Sequence, residues 1–140
     1  MDLGDCFKFI KDNPTGFVAT EEGGQPRVRP FTSWFADASG FYFHTSESKR
    51  VCKQLHKNPR IEVCFITPKK DLVMRISGSV EFLHEIALKT RLLEERPFLK
   101  NIIEGSEDTN LAVIRIPHGE AFFWTSTDNL KEAEIPRIEF

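Results

Sequence analysis

The stretch over residues 26–50 constrains the chain more than any other. It runs Pro-Arg-Val-Arg-Pro-Phe-Thr-Ser-Trp-Phe, then Ala-Asp-Ala-Ser-Gly, then Phe-Tyr-Phe-His-Thr-Ser-Glu-Ser-Lys-Arg. Aromatic and β-branched residues on either side of an Asp/Ser/Gly cluster predict two antiparallel strands joined by a turn. Arg27 and Arg29 stand two apart, so a strand projects them from one face. The second strand runs into Thr45-Ser46-Glu47-Ser48, which carries the hydroxyls and the acid of a helix start. Lys49 and Arg50 follow, where the N-terminal end of the macrodipole is already positive. Two cations there make sense beneath an anion held by hydroxyls, backbone N–H groups and basic side chains. A solvated basic helix with a serine cap accounts for 45–50 alone. The two arginines on the preceding strand tip the reading towards a phosphate site.

The rest of the chain supplies a frame of strands and short helices. Leu3, Cys6, Phe7 and Ile10 follow helical spacing, with Asp2 as cap and Asn13-Pro14 as stop. Residues 16–20 read as a strand, which Glu22-Gly23-Gly24-Gln25 turns back into the central unit. A helix over 47–58 would bury Val51, Cys52 and Leu55 and end at Asn58-Pro59. Strands are predicted over 61–66, over 72–83 with a bend or close approach at Gly78, over 111–116 and over 120–125. A third helix is predicted over 85–96, and the segment 129–140 reads as irregular or paired. About six strands with short connections and three peripheral helices indicate one domain over 1–140, a small, mostly antiparallel barrel.

Charge and cysteine usage exclude several classes. The formal net charge is -2 with both signs spread along the chain, unlike a general nucleic-acid binder. No apolar run approaches a membrane span and the N-terminus is acidic, so a cytoplasmic protein is expected. Cys6, Cys52 and Cys64 lack C-x-x-C spacing and read as buried reduced thiols. His44, His56, His84 and His118 are scattered, so no metal cluster is expected.

Four motifs in order carry a family resemblance: Gly-Gln-Pro-Arg-Val-Arg-Pro-Phe, Phe-Tyr-Phe-His-Thr-Ser-Glu-Ser-Lys, Val-Cys-Lys-Gln-Leu-His-Lys-Asn-Pro-Arg-Ile-Glu-Val and Arg-Ile-Ser-Gly-Ser-Val-Glu-Phe. The chain resembles the pyridoxamine 5′-phosphate oxidase-like, FMN-binding split-barrel family, especially its short members related to nitroimidazole-resistance proteins. The resemblance implies a six-stranded antiparallel split β-barrel and a homodimer with FMN at the subunit interface. By position it implies Arg29 at the FMN phosphate, His44, Thr45 and Ser46 along the ribityl-phosphate, and Lys49 and Arg50 as the basic pair after them. Trp34 falls where related oxidases place a polar residue near the flavin ring. Met74 and Arg75 lie near the strand that offers groups from the second subunit, and Arg27 has no firm counterpart. The segment 133–140 matches none of the C-terminal Arg/His elements with which full-length pyridoxamine phosphate oxidases grip substrate, which argues against that reaction. The expectation is an FMN-dependent oxidoreductase acting on a small, nitro-aromatic-like acceptor. The alternative is a non-catalytic flavin- or haem-binding protein, with His44 and His118 as candidate haem ligands. Trp124, Phe122 and Phe123 could line a planar ligand, although barrel core or dimer interface is the better reading for the two phenylalanines.

Overall fold

The computed structural model describes all 140 residues. The chain opens with α1 (Leu3–Asp12), capped by a reciprocal pair in which the Asp5 N–H donates to Asp2 and the Asp2 N–H to Asp5. The Asn13 backbone and side chain both donate to the Phe9 carbonyl and end it. Then follow β1 (Thr15–Glu22) and β2 (Gln25–Thr32), joined by Gly23 and Gly24. Both glycines have positive φ, 57° and 87°, which a two-residue hairpin turn of this hand requires. The remaining elements are β3 (Phe35–Asp37), β4 (Gly40–Ser46), α2 (Arg50–Lys57), β5 (Arg60–Ile66), β6 (Val73–Ser79), β7 (Glu81–Leu83), α3 (Ile86–Glu95), β8 (Leu111–Ile116), β9 (Gly119–Trp124) and β10 (Ile138–Glu139). No helix is long and apolar enough to cross a membrane.

The strands form an antiparallel split barrel. One sheet has the order β10-β9-β6-β5-β1-β2 and the other β3-β4-β8-β7. Alternation along each strand explains why they close on one another. Val18, Val63, Phe65, Met74 and Ile76 of the first sheet meet Phe41, Phe43, Ile114 and Ile116 of the second, with Cys6, Phe9, Val51 and Leu55 of the helices filling the ends. Tyr42, Leu111 and Val113 point from the second sheet the other way and form a smaller core with Leu92, Leu93, Leu99 and Ile103.

Two predicted strands are each two strands. The run expected through Phe35 breaks at Ser33 and Trp34, so β2 pairs with β1 in the first sheet and β3 with β4 in the second. The two halves of the 26–50 unit are therefore not one hairpin along their length. The run expected over 72–83 breaks at Val80, where the chain leaves β5 and β9 and joins β8. Gly78 just before it is a close approach, since a Cβ there would lie 2.4 Å from the His118 carbonyl oxygen. The tail is paired through β10 against β9. All three cysteines are free, and burial pushes the Cys6 thiol up to about 11 and the Cys52 thiol to about 12.

Candidate cofactor site

The β1–β2 register sets Val18 opposite Arg29 and Thr20 opposite Arg27, so both arginines share a face with Thr20 and Glu22. α2 lies over that face. The half-buried Arg29 guanidinium donates to the Thr20 hydroxyl at 2.6 Å, the Val18 carbonyl at 3.3 Å and the Gln54 side-chain oxygen at 2.6 Å. All three acceptors are neutral. Burial is the main force on Arg29 and lowers its pKa, with Glu22 opposing and Arg27 adding to the shift. Gln54, only 4% exposed, donates to Glu22 at 2.9 Å, and Glu22 also accepts from Arg50 at 2.8 Å and Arg27 at 3.2 Å. Two arginines thus share one carboxylate and Arg29 beside them has none, a surplus of positive charge at a protein surface.

α2 begins at Arg50, three residues later than the spacing predicts, and Lys49 takes the cap position without a side-chain capping bond. The hydroxyls expected at the helix start are elsewhere. Ser46 donates to the Asn110 side-chain oxygen at 2.8 Å and sits 2.9 Å from the Ser48 hydroxyl, while the Ser48 N–H donates to the same Asn110 oxygen. Thr45 is buried at 8% exposure on the core-facing side of β4, and its hydroxyl has no hydrogen-bond partner. Lys49 is exposed and makes no ion pair. The first turn of α2 carries no acidic residue, so its free N–H groups and Lys49 stay available to an anion.

His44 and Trp34 belong to the opposite face of the second sheet. Arg96, at the end of α3, donates to His44 Nε2 at 2.7 Å and to the Ser33 carbonyl at 2.7 Å. Because a guanidinium only donates, Nε2 is the acceptor and the imidazole proton is on Nδ1. Burial, then the charges of Arg96 and Lys49, push His44 down to about 4. Burial likewise lowers Arg96, whose hydrogen-bond partners here are both neutral. Trp34 packs edge-on against Phe35 and Tyr42, with Arg91 5.2 Å from its ring centroid, and its indole N–H is buried without an acceptor. Trp34 and Arg96 line a cavity of about 760 Å³ between α1 and β3, with Phe7 and Phe35 as apolar walls and Lys8 and Lys11 among its polar lining.

The predicted residues therefore form two groups: Arg29, Arg50 and Lys49 around α2, and Trp34 and His44 around Arg96. Thr45 and Ser46 lie on the strand between them. Met74 is wholly buried, so of the pair Met74 and Arg75 only Arg75 faces outward, bonded to Glu62. Phe123 packs on the core edge-on to Phe9, and Phe122 lies between Arg75 and Arg137. The sequence reading missed Thr20, Glu22, Gln54, Asn110 and Arg96. The register of the Gly-Gly hairpin already places Thr20 beside the arginines, whereas Gln54, Asn110 and Arg96 arrive through packing and leave no local signal.

The chain belongs to the pyridoxamine 5′-phosphate oxidase family, whose sequence model matches residues 5–125. It is similar to the pyridoxine/pyridoxamine 5′-phosphate oxidase of Anaeromyxobacter dehalogenans (strain 2CP-C), 39% identical over 70 residues. That match takes in 49% of this chain and 35% of the enzyme, so the chain matches only about a third of the relative's length. Among solved structures it resembles a NimC/NimA family protein from Clostridium acetobutylicum, with a TM-score of 0.81 and 28% identity over 99% of this chain and 93% of that one. It shares its fold with the general stress FMN/FAD binding protein of Xanthomonas citri, with a TM-score of 0.68 and 23% identity over 86% of each chain.

Proposed function

We propose that this protein is an FMN-dependent oxidoreductase for a small electron acceptor. The observation that carries the reading is Arg29, a half-buried cation with three neutral partners, beside two further arginines that share a single carboxylate. One phosphate dianion would compensate that surplus. A flavin phosphate fits the residues present: Arg29, Lys49 and the free N–H groups of α2 would hold it, and the unpartnered Thr45 hydroxyl would gain an acceptor. Family membership and the flavin-binding relative from Xanthomonas citri support the flavin. The single compact cationic site, with no Gly-x-Gly-x-x-Gly loop for a pyrophosphate, favours FMN over FAD.

FMN, when bound, supplies the hydride and electron transfer, so the chain needs no nucleophile of its own. The side chains bind, orient and exclude water. The cavity beside Trp34 is in the range for a small organic ligand. The Trp34 indole N–H lacks an acceptor, and Arg96, bonded only to neutral groups, lacks the negative charge that a nitro group or carboxylate would bring. His44 keeps its proton on Nδ1 and its Nε2 lone pair on Arg96, which holds the guanidinium in place.

Arg29→Ala should weaken FMN by about 10- to 100-fold, since a charged hydrogen bond contributes roughly 1.5–3 kcal/mol. Arg29→Lys should recover part of the loss, because a point charge cannot reproduce a planar fork. Lys57→Ala, at the far end of α2, is the control. Fluorescence quenching in each apo-protein reads the affinities, and mass analysis of the ligand released on denaturation identifies it. Equal affinity in Arg29→Ala and Lys57→Ala, or release of FAD alone, would overturn the reading.

A further inference from the structure

We infer that Asn110 is a positioning residue for the cofactor phosphate, acting through residues 46–49, which lead from β4 into α2; the inference rests on the FMN reading above. Asn110 stands immediately before β8, level with the end of β4, where Ser46 pairs with Leu111. Its backbone carbonyl accepts from the Glu47 N–H at 2.8 Å. Its side-chain oxygen accepts from the Ser46 hydroxyl at 2.8 Å and from the Ser48 N–H at 3.0 Å. A backbone N–H only donates, so the amide turns its oxygen, not its NH2 group, to Ser48. One residue thereby takes a donor from each of three consecutive residues. Because the Ser46 hydrogen goes to Asn110, the Ser48 hydroxyl, 2.9 Å from Ser46 Oγ, donates to it in turn. Neither serine proton is left for a ligand.

Asn110 is itself anchored. Its N–H donates to one Asp108 oxygen at 2.9 Å, and the Glu104 N–H donates to the other at 3.0 Å. The bonds from Glu104 and then Asn110 hold Asp108 below the usual carboxylate range.

What the anchor fixes is the approach to α2. The Lys49 N–H donates to the Ser46 carbonyl at 3.0 Å, and the Lys49 carbonyl accepts from the Cys52 N–H at 3.1 Å. Between these bonds the Arg50 and Val51 N–H groups have no backbone acceptor, and they follow directly on the exposed Lys49. They are the donors that the FMN reading gives to the phosphate. Residues 48–50 are exposed, so no apolar packing holds them. Were the phosphate itself to order them, that backbone entropy would be subtracted from binding; Asn110 orders them beforehand. Glu47 is tied separately to His56 Nε2 at 2.8 Å, and the β4–β8 ladder runs without the Asn110 side chain. Removing that side chain therefore loosens the turn and leaves the sheet.

The test compares FMN with riboflavin, which lacks the phosphate, in the full native chain and in Asn110→Ala, each freed of flavin and titrated by fluorescence quenching. The native chain should prefer FMN. Asn110→Ala should weaken FMN by about tenfold, the effect of two lost hydrogen bonds. It should leave riboflavin unchanged, a split that a general loss of stability would not produce. Amide hydrogen exchange in the flavin-free native chain should show the Glu47 and Ser48 N–H groups already protected. Equal affinity of the native chain for the two flavins would overturn the FMN reading and this role with it. A native preference for FMN that Asn110→Ala keeps in full, or equal losses of both flavins, would overturn the role of Asn110 alone. Should Asn110→Ala fail to fold, free exchange at Glu47 and Ser48 until FMN is added would overturn it by itself.

Discussion

His44 ties the polar side chains of the second sheet to pH. Its pKa lies at about 4 in the fold against 6.5 for the free side chain, because burial and the Arg96 and Lys49 charges all oppose protonation. The unfolded chain therefore takes up a proton near pH 6.5 that the folded chain refuses until about pH 4. The stabilising contribution is complete above pH 6.5, is lost as pH falls between the two values, and is gone below about 4. Over that window it amounts to about 3 kcal/mol. His44→Gln offers Arg96 an acceptor that does not titrate there. Urea midpoints from pH 7.5 to 4 should fall less steeply in the variant than in the native protein, and the difference should develop below pH 6.5. Parallel curves would mean that His44 is not held neutral. Arg29 is the counterpart on the other side of the barrel, a cation whose neutral partners fix its direction without cancelling its charge.

At the scale of elements, α2 is held to the β1–β2 hairpin by a polar hinge as well as by Val51 and Leu55. Gln54 accepts from Arg29 and Thr20 and donates to Glu22, so one buried amide serves three side chains of two strands. Gln54→Leu keeps the volume and leaves those groups unpartnered. It should destabilise the fold by about 1–3 kcal/mol and weaken FMN as well, because Arg29 loses its positioning partner. Urea unfolding should show a lower midpoint at unchanged slope, and an unchanged midpoint would show that water replaces the amide freely. The same elements show what the sequence made legible. Alternation in β5 and β6, the apolar runs of β8 and β9 and helical spacing in α1 and α3 mark where regular structure lies, because those patterns are local. Where a strand changes sheet is not local: the breaks at Ser33–Trp34 and at Val80 fall in apolar runs and are set by the closing of one sheet on the other. The start of α2 was misplaced because Thr45 and Ser46 continue the β4 ladder against Ala112 and Leu111. Within the site, the strand parity of Arg27 and Arg29 was readable. The bond from Arg29 to Gln54 and the joining of His44 to Arg96 were not, since each bridges residues 25 or more apart.

At the scale of the whole molecule, the outer face of the six-stranded sheet carries exposed apolar side chains. Phe17 is 46% exposed there and Val28 68%, with Pro30 paired beside Phe17. Across the sheet Phe17 stands in register with Cys64, Arg75 and Phe122, and Arg75 is tied to Glu62 and Glu132. An apolar strip flanked by paired charges has the make-up of an interface core and rim. Pairing edge to edge is disfavoured, because β2 is the sheet's edge and Pro26 and Pro30 remove two of its N–H donors. A second copy would therefore dock face to face, in the homodimer the family resemblance implies. Phe17→Lys with Val28→Glu places charge on residues that already face water, so the monomer should keep its far-UV circular dichroism and thermal midpoint. Sedimentation at micromolar concentration should show a dimer for the native chain and a monomer for the double variant. FMN affinity should fall with dissociation if the cofactor lies between subunits. A double variant that remains dimeric would remove this face as the interface. A monomer with undiminished FMN affinity would place the whole cofactor site within one chain, around Arg29 and α2.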